Sequence, residues 1–147
     1  MHILNVRTSA TLLALFALAG SGVPLGAQKQ QEKQDSKRPR LTLKAQPSMG
    51  TAPLRVTMLA DLAGGANDLE EFYCATAIWD WGDGGSSEKS TDCEPYEKGK
   101  SEIRRRYAEE HTFRRTGYYR VYFALEKRDK EIITGWVNIA VQAGNSN

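Results

Sequence analysis

Histidine is nearly absent from this sequence, which contains only His2 and His111 among 147 residues. Zinc sites usually need several histidine or cysteine ligands, and His2 falls in a predicted export signal, so His111 cannot build a two- or three-histidine site. No activated serine motif lies near it, which argues against a catalytic triad. We therefore expect His111 to be structural, and the chain to be no enzyme and to need no cofactor.

A dominant charge of one sign is also missing from the part that we expect to fold. The whole chain carries 20 Lys and Arg against 18 Asp and Glu, but residues 41–147 hold 14 basic and 16 acidic residues, a net charge of −2. Nucleic-acid binders usually present a basic surface to the phosphate backbone. We therefore expect no nucleic-acid partner.

The only long apolar run lies near the N-terminus, at residues 10–19, after the basic Arg7. A helix needs about 20 apolar residues to span a bilayer, so this run fits a secretory signal better than a stable membrane span. We predict a signal peptide over 1–27, cleaved before Gln28. Cleavage nearer Ala19 or Gly22 and an uncleaved anchor are the alternatives. Residues 28–40 contain no aliphatic or aromatic side chain and are predicted to be a flexible basic linker.

Cysteine is scarce, and the two residues present, Cys74 and Cys93, stand symmetrically about residues 82–85. Export to an oxidising compartment favours a bridge between them. Two antiparallel strands folded about that turn would bring the cysteines opposite each other, within the reach of a disulfide. We predict this disulfide.

Short stretches of alternating apolar and polar residues predict an all-β domain over 41–142, followed by a disordered tail, 143–147. The segment 101–111 contains helix formers. Its second half is interpreted as a strand, with a helical turn near 96–104 as the alternative. The complete architecture expected is an immunoglobulin-like β-sandwich of about seven strands. The other predicted strands cover residues 41–46, 54–62, 72–81, 86–93, 118–127 and 131–142.

The last two predicted strands form a hairpin whose core-facing sides must coincide. A three-residue loop, 128–130, achieves this, and it pairs Phe123 with Gly135 inside and Tyr122 with Trp136 outside. A two-residue loop is excluded by this argument, because it would set core residues against solvent-facing ones.

Three sequence motifs carry a family resemblance. Trp79-Asp80-Trp81-Gly82-Asp83-Gly84 resembles the Trp-Asp-Phe-Gly-Asp-Gly signature of PKD (polycystic kidney disease) domains. The stretches from His111 to Phe113 and from Gly117 through Tyr119 to Val121 resemble a second family segment, and 50–56 resembles its opening. The resemblance implies an immunoglobulin-like sandwich that serves in extracellular binding or spacing. Trp81 replaces the usual Phe, and the stretch 84–111 is longer than in the family.

The paired carboxylates of Asp80 and Asp83 admit two interpretations. Aspartates beside glycine in a tight turn usually accept backbone hydrogen bonds, and this is the structural interpretation. Calcium is the weaker alternative, since the surrounding sequence lacks the spacing of a calcium loop. Trp79 and Trp81 are expected in the core. The arginines at 104–106 and 114–115 are expected to form a solvated surface with the glutamates among them.

Alternation also predicts a binding face on the solvent side of one sheet, formed by Ile78, Tyr118, Arg120, Tyr122 and Trp136. Cross-strand aromatic pairs can simply stabilise a sheet. The functional interpretation is an aromatic platform for an extracellular or periplasmic protein or glycan, unless the insertion 94–106 folds back over it. The sequence thus predicts a secreted or periplasmic, non-catalytic binding or adhesion module. The alternatives are a structural subunit of a cell-envelope assembly and, more remotely, a small secreted hydrolase.

Overall fold

A computed structural model describes residues 37–144, which form eight β-strands and no helix. The predicted signal peptide, most of the predicted linker and residues 145–147 lie outside the described residues. The strands are β1 (Arg40–Gln46), β2 (Met49–Thr51), β3 (Leu54–Ala63), β4 (Thr76–Asp80), β5 (Ser86–Lys89), β6 (Arg106–Phe113), β7 (Gly117–Lys127) and β8 (Lys130–Gln142).

The strands form two sheets with an immunoglobulin-like order. One sheet has three strands in the order β1-β3-β6, and the other has five in the order β2-β8-β7-β4-β5. This matches immunoglobulin strands A, B and E in one sheet and G, F and C in the other. The phenol of Tyr119, near the start of β7, donates to the Arg115 carbonyl at 2.8 Å, which is the tyrosine corner of such sandwiches. The predicted fold class is confirmed.

Alternation along the strands builds the core between the two sheets. In β3, Leu54, Val56, Met58, Ala60 and Leu62 are buried, while the intervening side chains face outward. Trp79 and Trp81 are fully buried, and the Trp79 ring lies 4.4 Å from that of Phe123 on β7. The core therefore lies where the pattern predicts it, with the tryptophans of the signature turn (residues 79–85) inside it.

The two strands around the signature turn are shorter than the prediction of 72–81 and 86–93. Residues 70–74 form a turn instead, in which the Leu69 carbonyl accepts from the amides of Phe72 and Tyr73. This turn places the Phe72 ring in the core, which an extended chain would not do at the same point. The register pairs Ala77 with Lys89, one residue away from the expected symmetry.

The disulfide between Cys74 and Cys93 is present, with the two Cα atoms 6.1 Å apart. Its predicted setting is wrong, because both cysteines lie beyond the ends of β4 and β5 and not opposite each other within strands. Cys74 also has a positive φ of 56°, typical of turn geometry and not of a strand. The bridge links a turn to the long segment after β5.

The β7–β8 hairpin has the predicted register but not the predicted loop. Tyr122 pairs with Trp136 and Phe123 with Gly135, yet Lys127 pairs with Lys130 across a two-residue turn. A bulge between Leu125 and Glu126 shifts the register by one residue and so restores the match of the core-facing sides. Both turn residues have positive φ angles: Arg128 at 52° and Asp129 at 60°.

The alternative of a helical turn near 96–104 is present as a single turn, in which the Glu97 carbonyl accepts from the amides of Lys100 at 3.1 Å and Ser101 at 2.9 Å. Residues 90–105 run without helix or strand across one end of the sandwich until β6 begins at Arg106. The Ile103 amide donates to the Asn67 carbonyl at 2.9 Å, and the Ile103 side chain is buried. The Arg105 guanidinium contacts the side-chain oxygen of Asn67 and four backbone carbonyls, those of Leu62, Gly64, Gly65 and Ala66. These long-range contacts hold the end of the segment against the domain without further helix.

The end of the predicted linker lies against the domain. Arg38 donates to the Ile132 carbonyl at 2.7 Å, forms an ion pair with Glu71 at 3.4 Å and lies over the Phe72 ring. Strand β1 begins at Arg40, one residue earlier than expected. Attachment of the linker therefore begins at least two residues before the first strand.

Candidate functional site

The signature turn joins the two sheets through Asp83. Its Oδ1 accepts from the Gly85 amide at 3.0 Å, and its Oδ2 lies 2.7 Å from Nε2 of His111 on β6. The His111 ring stacks on Trp81 with centroids 4.5 Å apart, and the Trp81 indole N–H donates to the Ser87 hydroxyl at 3.1 Å. The side chains that carry the family resemblance therefore form one connected structural unit.

The electrostatics of Asp83 favour its charged form. Partial burial raises the pKa of the carboxyl, but the hydrogen bond to His111, the Gly85 amide and the attraction of His111 together outweigh burial and lower the pKa below 3.8. A carboxylate that is hydrogen-bonded in this way stabilises the fold in its ionised state. This is a structural role and requires no reaction.

Metal binding finds little support at this turn. Asp80 Oδ1 accepts from the Gly82 amide at 2.9 Å, so both aspartates serve the turn itself. Across residues 37–144, no group of three or more His, Cys, Asp or Glu side chains is arranged to hold a metal ion. The structural interpretation of Asp80 and Asp83 is the one that the hydrogen bonds favour.

The predicted binding face lies on the solvent side of the five-stranded sheet. Strands β4, β7 and β8 are neighbours in that sheet, as the binding-face hypothesis requires. Tyr122 of β7 lies between Trp136 of β8 and Asp80 of β4, and Ala124 separates Ile78 from Thr134. Paired residues share a face of the sheet, so the predicted side chains point outward together.

Exposure separates these side chains into two groups. Tyr118 is 92% exposed and Trp136 62%, while Ile78 and Tyr122 are half-buried. The Tyr122 hydroxyl donates to Glu131 at 3.0 Å, which ties this ring to the hairpin. Arg120 is exposed, and its guanidinium carbon lies 5.9 Å from the centre of the Trp136 ring. Tyr118, Arg120 and Trp136 are thus the accessible members of the face.

Sequence reasoning missed Met49, which is 59% exposed beside these residues. Met49 pairs with Ala140, and Ala140 pairs with Tyr118, so all three lie in one row across the sheet. Met49 lies between the predicted strands 41–46 and 54–62, in the three-residue strand β2, which pairs parallel to β8. We call Met49, Tyr118, Arg120, Tyr122 and Trp136 together the outer patch.

Gly82 of the signature turn packs closely against the backbone of Arg120, a member of the outer patch. Gly82 has a φ of 71°, and a Cβ atom at this position would lie 2.6 Å from the Arg120 carbonyl. Only glycine allows both this backbone angle and such a close approach. The backbone of Arg120 is therefore held against the turn while its side chain faces solvent.

The comparisons with known proteins concern the fold. Neither a protein-family model nor a curated protein matches this chain. The chain is similar to the solved PKD domain of an M14-like peptidase from a Thermoplasmatales archaeon, with 15% identity, a TM-score of 0.48, and 72% of this chain and 97% of that chain covered. It is also similar to a CARDB domain from Pyrococcus furiosus, solved with di-metal ions, with 11% identity, a TM-score of 0.43, and 74% and 97% covered.

The part of the chain between residues 37 and 144 contains no helix that is long and apolar enough to cross a membrane.

Proposed function

We propose that this chain is an exported, non-catalytic binding module that engages its partner through the outer patch. One observation carries the proposal. Among the described residues, the large apolar side chains that remain exposed are Met49, Tyr118 and Trp136, and all three lie on the same face of the same sheet.

The clustering of these three side chains favours a binding role over the explanation that each is exposed by chance. Single exposed apolar residues are ordinary, but a contiguous cluster on a small domain usually marks an interaction site. Tyr, Trp and Arg are also the residues that contribute most to binding energy at protein interfaces, and Met adapts to varied surfaces. The outer patch contains all four residue types.

Two observations support export. The disulfide between Cys74 and Cys93 is of the kind that persists in oxidising compartments. The sequence also predicts a signal peptide ahead of the domain. The disulfide and the predicted signal peptide together support a secreted or periplasmic location.

The test is capture by the exported chain, immobilised through an N-terminal tag and exposed to extracellular and envelope extracts of the producing cell. We expect Trp136→Ala and Tyr118→Ala to lose the captured partner, while Lys44→Ala, on the exposed side of the three-stranded sheet, retains it. Thermal melts of the same variants control for folding. Tyr122→Ala is less informative, since this ring is half-buried and bonded to Glu131.

The same experiment tests the alternative of a structural envelope subunit. A binding module is recovered alone and captures its partner reversibly, whereas a structural subunit copurifies with fixed partners in constant ratio. Unchanged capture by Trp136→Ala and Tyr118→Ala would overturn the binding role of the outer patch.

A further inference from the structure

No segment between residues 37 and 144 covers Tyr118 or Trp136 of the outer patch. The insertion 94–106 could have folded back over the patch, but it packs beside the turn at 70–74 instead. There Tyr96 donates to the Asp68 carbonyl at 2.6 Å, and its ring lies 5.6 Å from that of Tyr73. Residues 28–36 carry no aliphatic or aromatic side chain, and residues 145–147 are Asn-Ser-Asn. These segments offer no apolar group that could bury Trp136.

The outer patch has a positive charge within it. Arg120 contributes to none of the ion pairs found among residues 37–144. Its guanidinium is turned toward Trp136 on β8. Two carboxylates border the patch without pairing with Arg120: Asp80 on β4 is on the other side of β7, and Glu131 accepts from the Tyr122 hydroxyl. By contrast, Arg55 and Arg106 each pair with a carboxylate of the domain, those of Glu110 and Asp61.

The position of this charge disfavours a second copy of the chain as the partner. Arg120 lies between the row of Tyr118 and Met49 and the row of Tyr122 and Trp136, so it stands within the patch. A symmetric contact between two copies whose two-fold axis passes through the middle of the patch would bring the two arginines together at the centre of the interface. Like charges opposed at an interface cost free energy, while an opposite charge there would be favourable.

We propose that the outer patch binds an acidic segment of a partner protein, in which a carboxylate pairs with Arg120 and neighbouring apolar side chains pack on Trp136 and Tyr118. Arginine and a carboxylate can form two parallel hydrogen bonds, and the aromatic rings around Arg120 would shield this pair from water. This inference rests on the proposed function of the patch and adds the chemistry of the partner.

The experiment selects ligands from a displayed library of random linear peptides against the exported chain. We expect the selected peptides to share an Asp or Glu beside aliphatic or aromatic residues. The best peptide is then made in two forms, with the carboxylate intact and with it replaced by the amide of Asn or Gln. Each form is measured by titration against the natural chain, Arg120→Gln and the control Lys44→Gln.

A double-mutant cycle gives the decisive number. Arg120→Gln and the amide peptide should each weaken binding about tenfold or more, and the two changes together should weaken it no further than either alone. Lys44→Gln should leave binding by both peptides unchanged. Thermal melts of Arg120→Gln establish that the variant is folded.

Other outcomes separate this inference from the proposed function. Two results would overturn the acidic partner but leave the outer patch as a binding site. The first is selection of peptides that require Trp136 but show no preference for a carboxylate. The second is binding on a glycan array that requires Trp136. Dimerisation in sedimentation that Trp136→Ala abolishes would show a self-interface and overturn the inference. Absence of any Trp136-dependent ligand on peptide library and glycan array would contradict both.

Discussion

Asp83 makes one local and one long-range hydrogen bond, and both help to specify the fold. Its Oδ1 closes the turn locally through the Gly85 amide, and its Oδ2 reaches His111 in the opposite sheet. The same His111 ring packs on Trp81, so the turn, the core and β6 are coupled at one point. A single side chain thus helps to fix both the shape of the turn and the packing of one sheet on the other.

Replacing this side chain should destabilise the domain. We expect Asp83→Ala to lower the free energy of unfolding by about 1–2 kcal/mol, because two hydrogen-bonded groups lose their acceptor. Asp92→Ala is the matched control, since Asp92 is exposed in the segment after β5. Chemical denaturation measures both variants. A chelator should leave the melting temperature unchanged, and a fall of several degrees would replace the structural interpretation with a calcium site.

The pH dependence of stability provides a second test of the same carboxylate. The pKa of Asp83 is lowered in the folded protein from its ordinary 3.8, so the unfolded chain binds its proton more readily. Its contribution is therefore fully present above about pH 4–5 and is lost as the pH falls through the lowered value. We expect Asp83→Asn to reduce the acid sensitivity of the melting temperature. An equal decline in both proteins below pH 4 would show that other groups govern it.

The β7–β8 hairpin shows what alternation along a strand can and cannot specify. Apolar residues at every second position required Phe123 to face Gly135, and that pairing is present. The same requirement is met by a two-residue turn combined with a bulge, which the pattern alone did not distinguish from a three-residue loop. A bulge leaves the alternation on each side intact and interrupts it at one point, here Ile132 and Ile133, which both pack against the core. Two consecutive apolar residues are too weak a signal to locate a bulge from sequence.

The stability of the Arg128-Asp129 turn can be raised by residues that suit its backbone angles. Arg128 and Asp129 both adopt positive φ angles, which are unfavourable for most side chains. We expect the double change Arg128→Asn and Asp129→Gly, which supplies the residues preferred in two-residue hairpin turns, to raise the free energy of unfolding by about 1 kcal/mol. Arg114→Gly, at a turn without a positive φ in that residue, should give no gain. Equal or lower stability of the double variant in chemical denaturation would contradict this.

Local patterns also account for part of the candidate site. The outward positions of Tyr118, Arg120 and Trp136 follow from alternation once their strands are known. Met49 could not be found in the same way, because β2 is only three residues long and its pairing with β8 joins segments that are distant in sequence. The burial of Phe72 by a turn likewise depends on the assembled core, which no short stretch of sequence contains.

At the scale of the whole molecule, the contacts that hold segment 90–105 and the residues of the outer patch lie in different places. The long segment 90–105 is held at one end by the disulfide, by Arg105 and by the buried Ile103. The outer patch lies on the open face of the sheet and takes no part in those contacts. We therefore expect the attachment of this segment and the proposed binding by the outer patch to be separable.

The disulfide gives the experiment that tests this separation. Its two cysteines are 19 residues apart in sequence, and closing a loop of about 20 residues is worth about 3 kcal/mol in the chain-entropy account. We expect the double change Cys74→Ala and Cys93→Ala to lower the free energy of unfolding by up to that amount while the folded variant still presents Trp136 to its partner.

Intact-mass analysis of the exported protein should find no alkylatable thiol before reduction and two after it. Two reactive thiols in the unreduced protein would contradict the bridge, and loss of capture by a variant that remains folded would show that the insertion and the outer patch are coupled.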